Sequence, residues 1–396
     1  MAGLCLLASG ILACEARAAY QGQNGDLMVK SDVPGAFGSS LYRVPTLGKA
    51  RSLKLSKSLI EASFSPDGKT VAGLVGGIYP QVWMGPARDE AVLKGVTDNE
   101  EQMGESDGPV FSPDGRKFYS ITTWNYQGIP IEQGLVKFST QGGEAVSYVQ
   151  LTPSIGNPQP GHVPVLHETY HLCDLSPDGK TALISFQRVV DGELRIESKV
   201  MDLATGQTGN DPLWPGDTYS PTFLPDGKRV LFYRQEGETR VPYIGDLEGG
   251  EPEPLALPDG ATGPEYSPDG TRMAYVMPGA GVDKIVIRNL VTGVERQFDA
   301  PGTDSEILQW TRQSLFRASY LPLRKRLRIR VFNPGRISIS GPGIEPRMIR
   351  NLKGREFRIP LIWTGNAKST KVTVSFKPDN SVAGKQMVKV TRRGRA

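Results

Sequence analysis

Histidine and cysteine are scarce in this chain, three of each among 396 residues. All three histidines, His162, His167 and His171, fall within ten residues, which excludes an imidazole-based centre anywhere else. Two of the cysteines, Cys5 and Cys14, lie in the first 19 residues. If that segment is removed on export, Cys173 stands alone and no intramolecular disulfide is expected. Stability must then come from a large core, which a chain of this length can bury. The apolar run from Ala2 to Ala13 covers about a dozen residues, too few to span a bilayer. Glycine (46) and proline (31) make up nearly a fifth of the chain while aromatic and β-branched residues stay plentiful. That composition excludes a helical bundle and predicts many short strands with turns and very little helix.

The start of the chain reads as a secretory signal. An apolar stretch is followed by Glu15 and Arg17, with small residues at Ala16 and Ala18 suited to cleavage before Ala19 or Tyr20. "ILAC", Ile11 to Cys14, also fits a bacterial lipobox, with Leu12 as a poor match, so Cys14 is an alternative lipidation point. Plain cleavage is the preferred reading, and the expected location is secreted or extracytoplasmic, at a bacterial cell envelope.

An internal repeat decides the fold class. Five segments match: "FSPDGKTVAGL" from Phe64, "FSPDGRKFYSI" from Phe111, "LSPDGKTALIS" from Leu175, "FLPDGKRVLFY" from Phe223 and "YSPDGTRMAYV" from Tyr266. A sixth, "WTRQSLFRASY" from Trp310, keeps the aromatic and the following strand but lacks Pro-Asp-Gly. The anchors are spaced by 47, 64, 48, 43 and 44 residues, one propeller blade per repeat. Proline presets φ in the turn, aspartate bonds the backbone ahead, and glycine accepts the positive φ at which the chain reverses. A single four-stranded sheet cannot cover both of its faces, so the blades must pack in a ring. Six anchors predict six blades. The strands at 25–31 and 40–46, which precede any anchor, are expected to complete one blade with the last.

These S-P-D-G repeats, together with "YQGQNGDLMV" after the leader, resemble the TolB-type six-bladed propellers of bacterial envelope and secreted proteins over residues 20–320. The resemblance implies binding, with the ligand unnamed. TolB's own N-terminal α/β domain has no counterpart in the sequence, so the resemblance does not imply its role in envelope machinery. The expected architecture is all-β: leader 1–19, six-bladed propeller 20–320, and a small sandwich 321–396.

That last segment changes pattern. "LRIRVFN", "RISISGPGI", "EFRIPLIWTG", "TKVTVSFKPDN" and "QMVKVTR" alternate apolar and polar residues between Gly, Pro and Asn turns, as in an immunoglobulin-like β-sandwich. Residues 321–396 hold 19 lysines and arginines against three acids, whereas the rest of the chain holds 27 basic and 39 acidic groups. The net charge of +4 thus conceals an acidic ring and a basic tail. One reading of the tail is attraction to an anionic polymer or surface. The other is a solvated face that keeps a small module soluble or docks on its own propeller. The basic residues are not interleaved with aromatics as in single-strand binders, and no nucleic-acid partner is expected.

Two catalytic motifs occur by chance. "HETYH", 167–171, fits H-E-x-x-H, but it runs into the inner strand of repeat three rather than lying on a helix, and no further histidine follows. "GESDG", 104–108, fits G-x-S-x-G, but it enters a strand, and 76 residues after the ring cannot form a hydrolase domain. No catalytic set, cofactor or metal centre is expected. What remains is placement. The links between blades and the loops joining second and third strands open on one face, the Pro-Asp-Gly turns on the other. The first face receives the acidic link 98–107, Trp124 and Tyr126 in "TWNYQG", and the long insert 153–169 with His162 and His167. Residues four before each anchor, Ile60, Asp107, His171, Tyr219, Thr262 and Glu306, are expected to surround the channel mouth. This site, with Trp124 and His167, is the candidate ligand site, although surface loops are polar without any function. The leading reading is a monomeric, non-enzymatic binding protein for a protein or envelope polymer. The alternative is a propeller enzyme, a polysaccharide lyase or hydrolase working at the channel mouth.

Overall fold

The computed structural model describes residues 23–32, 40–45, 50–76, 80–97, 104–126, 129–152, 168–209, 211–313, 316–321, 326–331, 335–352, 356–364, 369–378 and 384–391. Among them there are strands, turns and bends and no helix, as the glycine and proline content requires. Two compact units divide between Thr311 and Arg312.

The first unit is a series of sheets. Strands β1 (Gln23–Asp32), β2 (Ser40–Val44) and β3 (Arg51–Leu53) belong to the first. The second is β4 (Ala62–Phe64), β5 (Thr70–Val75), β6 (Gln81–Pro86) and β7 (Lys94–Gly95). Next come β8 (Gly104–Ser106), β9 (Val110–Phe111), β10 (Lys117–Tyr126), β11 (Ile129–Ser139) and β12 (Ala145–Gln150). The fourth holds β13 (Glu168–Leu175), β14 (Thr181–Val190) and β15 (Glu193–Asp202). The fifth is β16 (Thr218–Phe223), β17 (Arg229–Glu236), β18 (Thr239–Asp246) and β19 (Glu253–Pro254). The sixth is β20 (Thr262–Tyr266), β21 (Arg272–Met277), β22 (Lys284–Asn289) and β23 (Glu295–Asp299). Strand β24 (Thr303–Gln313), which carries the last anchor Trp310, lies beside β1, so the first sheet is completed from the far end of the unit.

Each Pro-Asp-Gly segment makes the hairpin turn that leads from a first strand to a second. In the first repeat Ser65 Oγ donates to Asp67 Oδ1 at 2.9 Å, and the backbone N–H of Lys69 donates to Asp67 Oδ1 at 3.1 Å. Gly68, Gly115, Gly179, Gly227 and Gly270 all have φ between 65° and 71°, where only glycine is unstrained. Three of these glycines also meet the proline of the preceding repeat. A Cβ at Gly115, Gly179 or Gly227 would lie 3.2–3.3 Å from a Cδ of Pro66, Pro113 or Pro177. The repeat therefore encodes the turn and the spacing between successive sheets together.

The buried clusters straddle neighbouring sheets. Met28, Leu41 and Leu53 of the first sheet pack with Phe64 and Val71 of the second. Ala72 and Val82 continue into Phe111, Phe118 and Ile121 of the third, and these into Leu172 and Ile184 of the fourth. Leu183 meets Phe223, Val230 and Phe232 of the fifth sheet. Leu255 and Leu257, just after β19, pack on Met273 and Tyr275 of the sixth, while Ala274 and Ile285 of that sheet pack on Leu27, Val29 and Trp310. The anchors Phe64, Phe111, Leu175, Phe223 and Trp310 are all at most 3% exposed, and each such burial contributes up to about 3 kcal/mol.

A polar link supplements the packing. The residue just before an anchor reaches the backbone N–H of the next anchor: Asp174 accepts from Phe223 at 2.7 Å, Glu265 from Trp310 at 3.3 Å, and Gln309 from Phe64 at 3.0 Å. All three side chains are buried, and each satisfies a donor that would otherwise be orphaned inside the unit.

The second unit contains two sheets around one core. Strand β25 (Phe316–Leu321) pairs with β26 (Arg326–Val331), which pairs with β29 (Glu356–Pro360). The other sheet is β28 (Ile344–Leu352), β27 (Gly335–Gly341), β30 (Ser369–Pro378) and β31 (Gly384–Thr391) in that order. Leu327, Ile329 and Ile359 from one sheet, with Ile337, Val372 and Phe376 from the other, form the shared core. Here the structure corrects one expectation. The strand after Trp310 was expected to follow it as the next strand of its own blade. Instead β25 belongs to this second unit, because β1 already occupies the place beside β24 and Ala318 is buried in the second core. Cys173 is fully buried and disulfide-bonded in the full-length chain, whereas the expectation of no disulfide concerns the chain without residues 1–19.

Candidate functional site

Asp107 and His171 come from different sheets and meet. His171 Nδ1 lies 3.2 Å from Asp107 Oδ1, with side chains 28% and 24% exposed. Asp107 lies between β8 and β9 and is gripped by the second strand of its sheet. Its N–H donates to Ile121 O at 2.8 Å, and its carbonyl accepts from Ser120 Oγ at 2.7 Å. His171 sits in mid-strand on β13, opposite Ser185 of β14, so the H-E-x-x-H spacing does not bring two imidazoles to one helical face.

Gln133 of β11 holds the neighbouring residue. Its Oε1 accepts from Tyr170 N at 2.9 Å, and its Nε2 donates to Thr123 Oγ1 at 3.0 Å and to Tyr170 O at 3.4 Å. The side chain is 2% exposed. It therefore clamps both backbone groups of Tyr170 and fixes where the next residue, His171, begins. Sequence reading missed Gln133, because a glutamine in the third strand of a sheet gives no local signal of the sheet it will touch.

Past Asp107 Oδ1, the second carboxylate oxygen, Oδ2, is buried and accepts no hydrogen bond from a described residue. Such a buried acceptor is costly unless something donates to it. An imidazole whose Nδ1–H donates to a carboxylate is fixed in orientation and tautomer, which leaves Nε2 as a hydrogen-bond acceptor for a ligand donor.

The other expected site residues lie in or just before the strand that leads into each anchor. Tyr219 on β16 is half-buried, with the Arg240 guanidinium 4.5 Å above its ring centroid. Burial foremost, and the nearby Asp217, push the phenol above its ordinary range, while Arg240 opposes them. Thr262 opens β20 and is exposed, and Glu306 is a half-buried residue of β24. Ile60, the position in repeat one, is 49% exposed. Strand pairing breaks beside several of these positions: between Leu172 and Asp174, between Tyr219 and Thr222, and between Thr262 and Glu265. Ser220 adopts φ 48° and Gly263 φ 59° at two of those breaks. Such bulges re-aim side chains, and left-handed non-glycine residues collect at functional sites.

Trp124 is placed differently from the expectation. It lies within β10 rather than in a loop, opposite Glu132 of β11. Its ring meets Tyr148 of the outer strand β12 edge-on, with centroids 5.3 Å apart, and Tyr148 in turn donates to Glu132. The tryptophan is thus turned toward the outer strand. His162, His167 and the acidic residues Asp98, Glu100 and Glu101 lie outside the described residues. Among the described residues no three His, Cys, Asp or Glu side chains converge as a metal site.

No protein-family model matches the chain, and no curated protein does. Solved structures with a similar fold include TolB from Acinetobacter baumannii, at 16% identity and TM-score 0.51, covering 73% of this chain and 67% of that one. A putative TolB from Agrobacterium tumefaciens (16%, 73% and 94% covered, TM-score 0.47) and an oligogalacturonate lyase from Vibrio parahaemolyticus (15%, 80% and 87%, TM-score 0.42) are also similar. At this identity the first likeness shows the fold: the chain is all-β and of the TolB-like propeller class. Propellers host both binding and catalysis, so the fold does not fix the activity.

Proposed function

We propose that the chain is an extracytoplasmic binding protein, with a six-bladed ring as its recognition scaffold and a basic immunoglobulin-like module as an accessory anchor. The ring is supported by the cluster-by-cluster packing of successive sheets and by the Gln309–Phe64 link. Export is supported by the apolar leader, and the basic tail supports contact with an anionic surface at the envelope.

The observation that carries the binding role is the Asp107–His171 pair. Two residues 64 positions apart meet from different sheets, partly open to solvent, beside a carboxylate oxygen that accepts no hydrogen bond from a described residue, and this supports placing a ligand there. A polar protein segment or envelope polymer carrying hydroxyl or amide groups fits this chemistry. A panel of envelope glycans and peptides, read by thermal shift against wild type, His171→Ala and Asp107→Ala, tests it. A ligand that stabilises wild type should shift each variant far less. Equal shifts in all three proteins contradict the reading.

The same pair supports a second reading. An imidazole oriented by a carboxylate is also the arrangement of a general base, which suits a polysaccharide lyase or hydrolase. Loss of chain length in a glycan that binds wild type, absent with His171→Ala, decides for the enzyme.

A further inference from the structure

The two sheets of the second unit present different chemistry to solvent. Along β26 exposed and buried residues alternate strictly, so Arg326, Arg328 and Arg330 all point outward. Arg358 of β29 stands directly opposite Arg328, and the outward positions of β29 run from Glu356 through Arg358 to Pro360. Alternate positions on a strand are about 7 Å apart and neighbouring strands about 5 Å, so four arginine side chains share one face of the sheet. Like charges placed directly opposite destabilise a strand pair. One acid relieves them: Glu356 accepts from Arg328 at 2.6 Å and from Arg358 at 3.3 Å. Both arginines remain about half exposed, at 51% and 48%.

The outward face of the other sheet mixes hydroxyls with lysines and separate arginines, Arg336 on β27 and the exposed Arg350 on β28. Ser338 pairs with Ser375 and Ser340 with Thr373, while Lys371 pairs with Lys389. Arginine, unlike lysine, offers a planar fork that grips phosphate oxygens two at a time. The described outward positions of β26 and β29 include no aromatic on which a sugar or base could stack. The chain leaving β29 after Pro360, which pairs with Arg326, crosses to the other sheet, where Ile362 O accepts from Glu345 N–H at 2.9 Å. Guanidinium groups spread over an exposed sheet face rather than lining a groove match the phosphates of a lipid headgroup layer better than a groove-bound polymer.

We propose that the arginine face of β26 and β29 docks on the phosphate groups of an anionic lipid surface. This rests on the anchoring role given above to the basic module and assigns it to one face and one chemistry.

The test uses the full chain in vesicle co-sedimentation, with phosphatidylglycerol-containing vesicles against pure phosphatidylcholine, at low and high salt. Wild type should bind the anionic vesicles at low salt, release at high salt and ignore the neutral ones. Replacing Arg326, Arg328 and Arg330 by glutamine should weaken binding about a hundredfold, each cation near a charged surface contributing roughly a factor of five. Lys371→Gln with Lys389→Gln should change it far less. The same three arginines replaced by lysine keep the charge but not the fork, and that variant should bind between wild type and the glutamine variant, which separates loss of contact from loss of fold. If wild type does not bind anionic vesicles, the anchoring role itself is wrong. If it binds but the lysine pair matters as much as the three arginines, the face is wrongly assigned. Tighter binding to an acidic polysaccharide than to vesicles would overturn the lipid assignment.

Discussion

Gln309 and Phe64 are separated by 245 residues, yet the Gln309 carboxamide oxygen accepts the Phe64 backbone N–H at 3.0 Å. The bond joins the last repeat strand to the first anchor, and both residues are fully buried. Replacing Gln309 by alanine leaves that N–H without a partner, which should cost roughly 2 kcal/mol. Urea unfolding midpoints of the two proteins measure it. A variant as stable as wild type would show that the packing of β24 alone joins the ends.

The turn glycines separate two costs. Gly115 and Gly192 both have positive φ, 68° and 83°, but a Cβ at Gly115 would press on Pro66 at 3.2 Å while one at Gly192 meets nothing within 4 Å. Gly192→Ala should cost about 1 kcal/mol from backbone strain alone. Gly115→Ala should cost more, because the neighbouring repeat must give way. Equal losses of melting temperature would mean that the sheets are not spaced by these turns.

The turn aspartates predict an acid limb of stability. Burial alone would raise the pKa of Asp67, Asp114 and Asp226, but hydrogen bonds to Lys69 and Ser65, to Arg116 and Ser112, and to Lys228 and Arg229 outweigh it and hold all three carboxyls below the ordinary aspartate range. A carboxyl depressed in the folded state adds stability above its unfolded pKa, about 3.9, and that contribution disappears as pH falls through the folded value. The triple Asp→Asn variant should therefore fall behind wild type in urea midpoint at neutral pH and approach it below about pH 4. A gap that does not change with pH contradicts the assignment.

Gln133 should matter beyond its own stability. Gln133→Leu keeps the approximate volume but frees the Tyr170 backbone, and the unfilled donor and acceptor should cost roughly 1–3 kcal/mol. It should also weaken a ligand that depends on His171, whereas Gly192→Ala, of similar or smaller cost, should not. Equal effects of the two on affinity would reduce Gln133 to a structural role.

The repeat was legible in the sequence because each of its residues answers a local backbone demand. Proline, aspartate and glycine are required by one turn and need no distant partner to be recognised. Counting four residues back from the anchors selected both Asp107, between β8 and β9, and His171, within β13, and the structure puts them 3.2 Å apart. Trp124 was less legible, since where a strand ends and a loop begins depends on pairing with β8 and β11 rather than on its own neighbours. The links through Asp174, Glu265 and Gln309 were overlooked although each stands just before its anchor, because a polar residue there identifies a partner only once the next sheet is in place. The transfer of β25 to the second unit likewise depended on β1 filling the place beside β24.

The central claim is that Asp107 and His171 form a ligand-contacting pair. With three histidines in the chain, imidazole signals in histidine-labelled protein can be assigned by comparing wild type with His171→Gln. Titration with a ligand found by thermal shift should move the His171 ring signals in step with saturation, and Asp107→Asn should both change their starting position and weaken the binding. If the His171 signals stay fixed at full saturation while other residues respond, the ligand binds elsewhere and the account of this site is wrong.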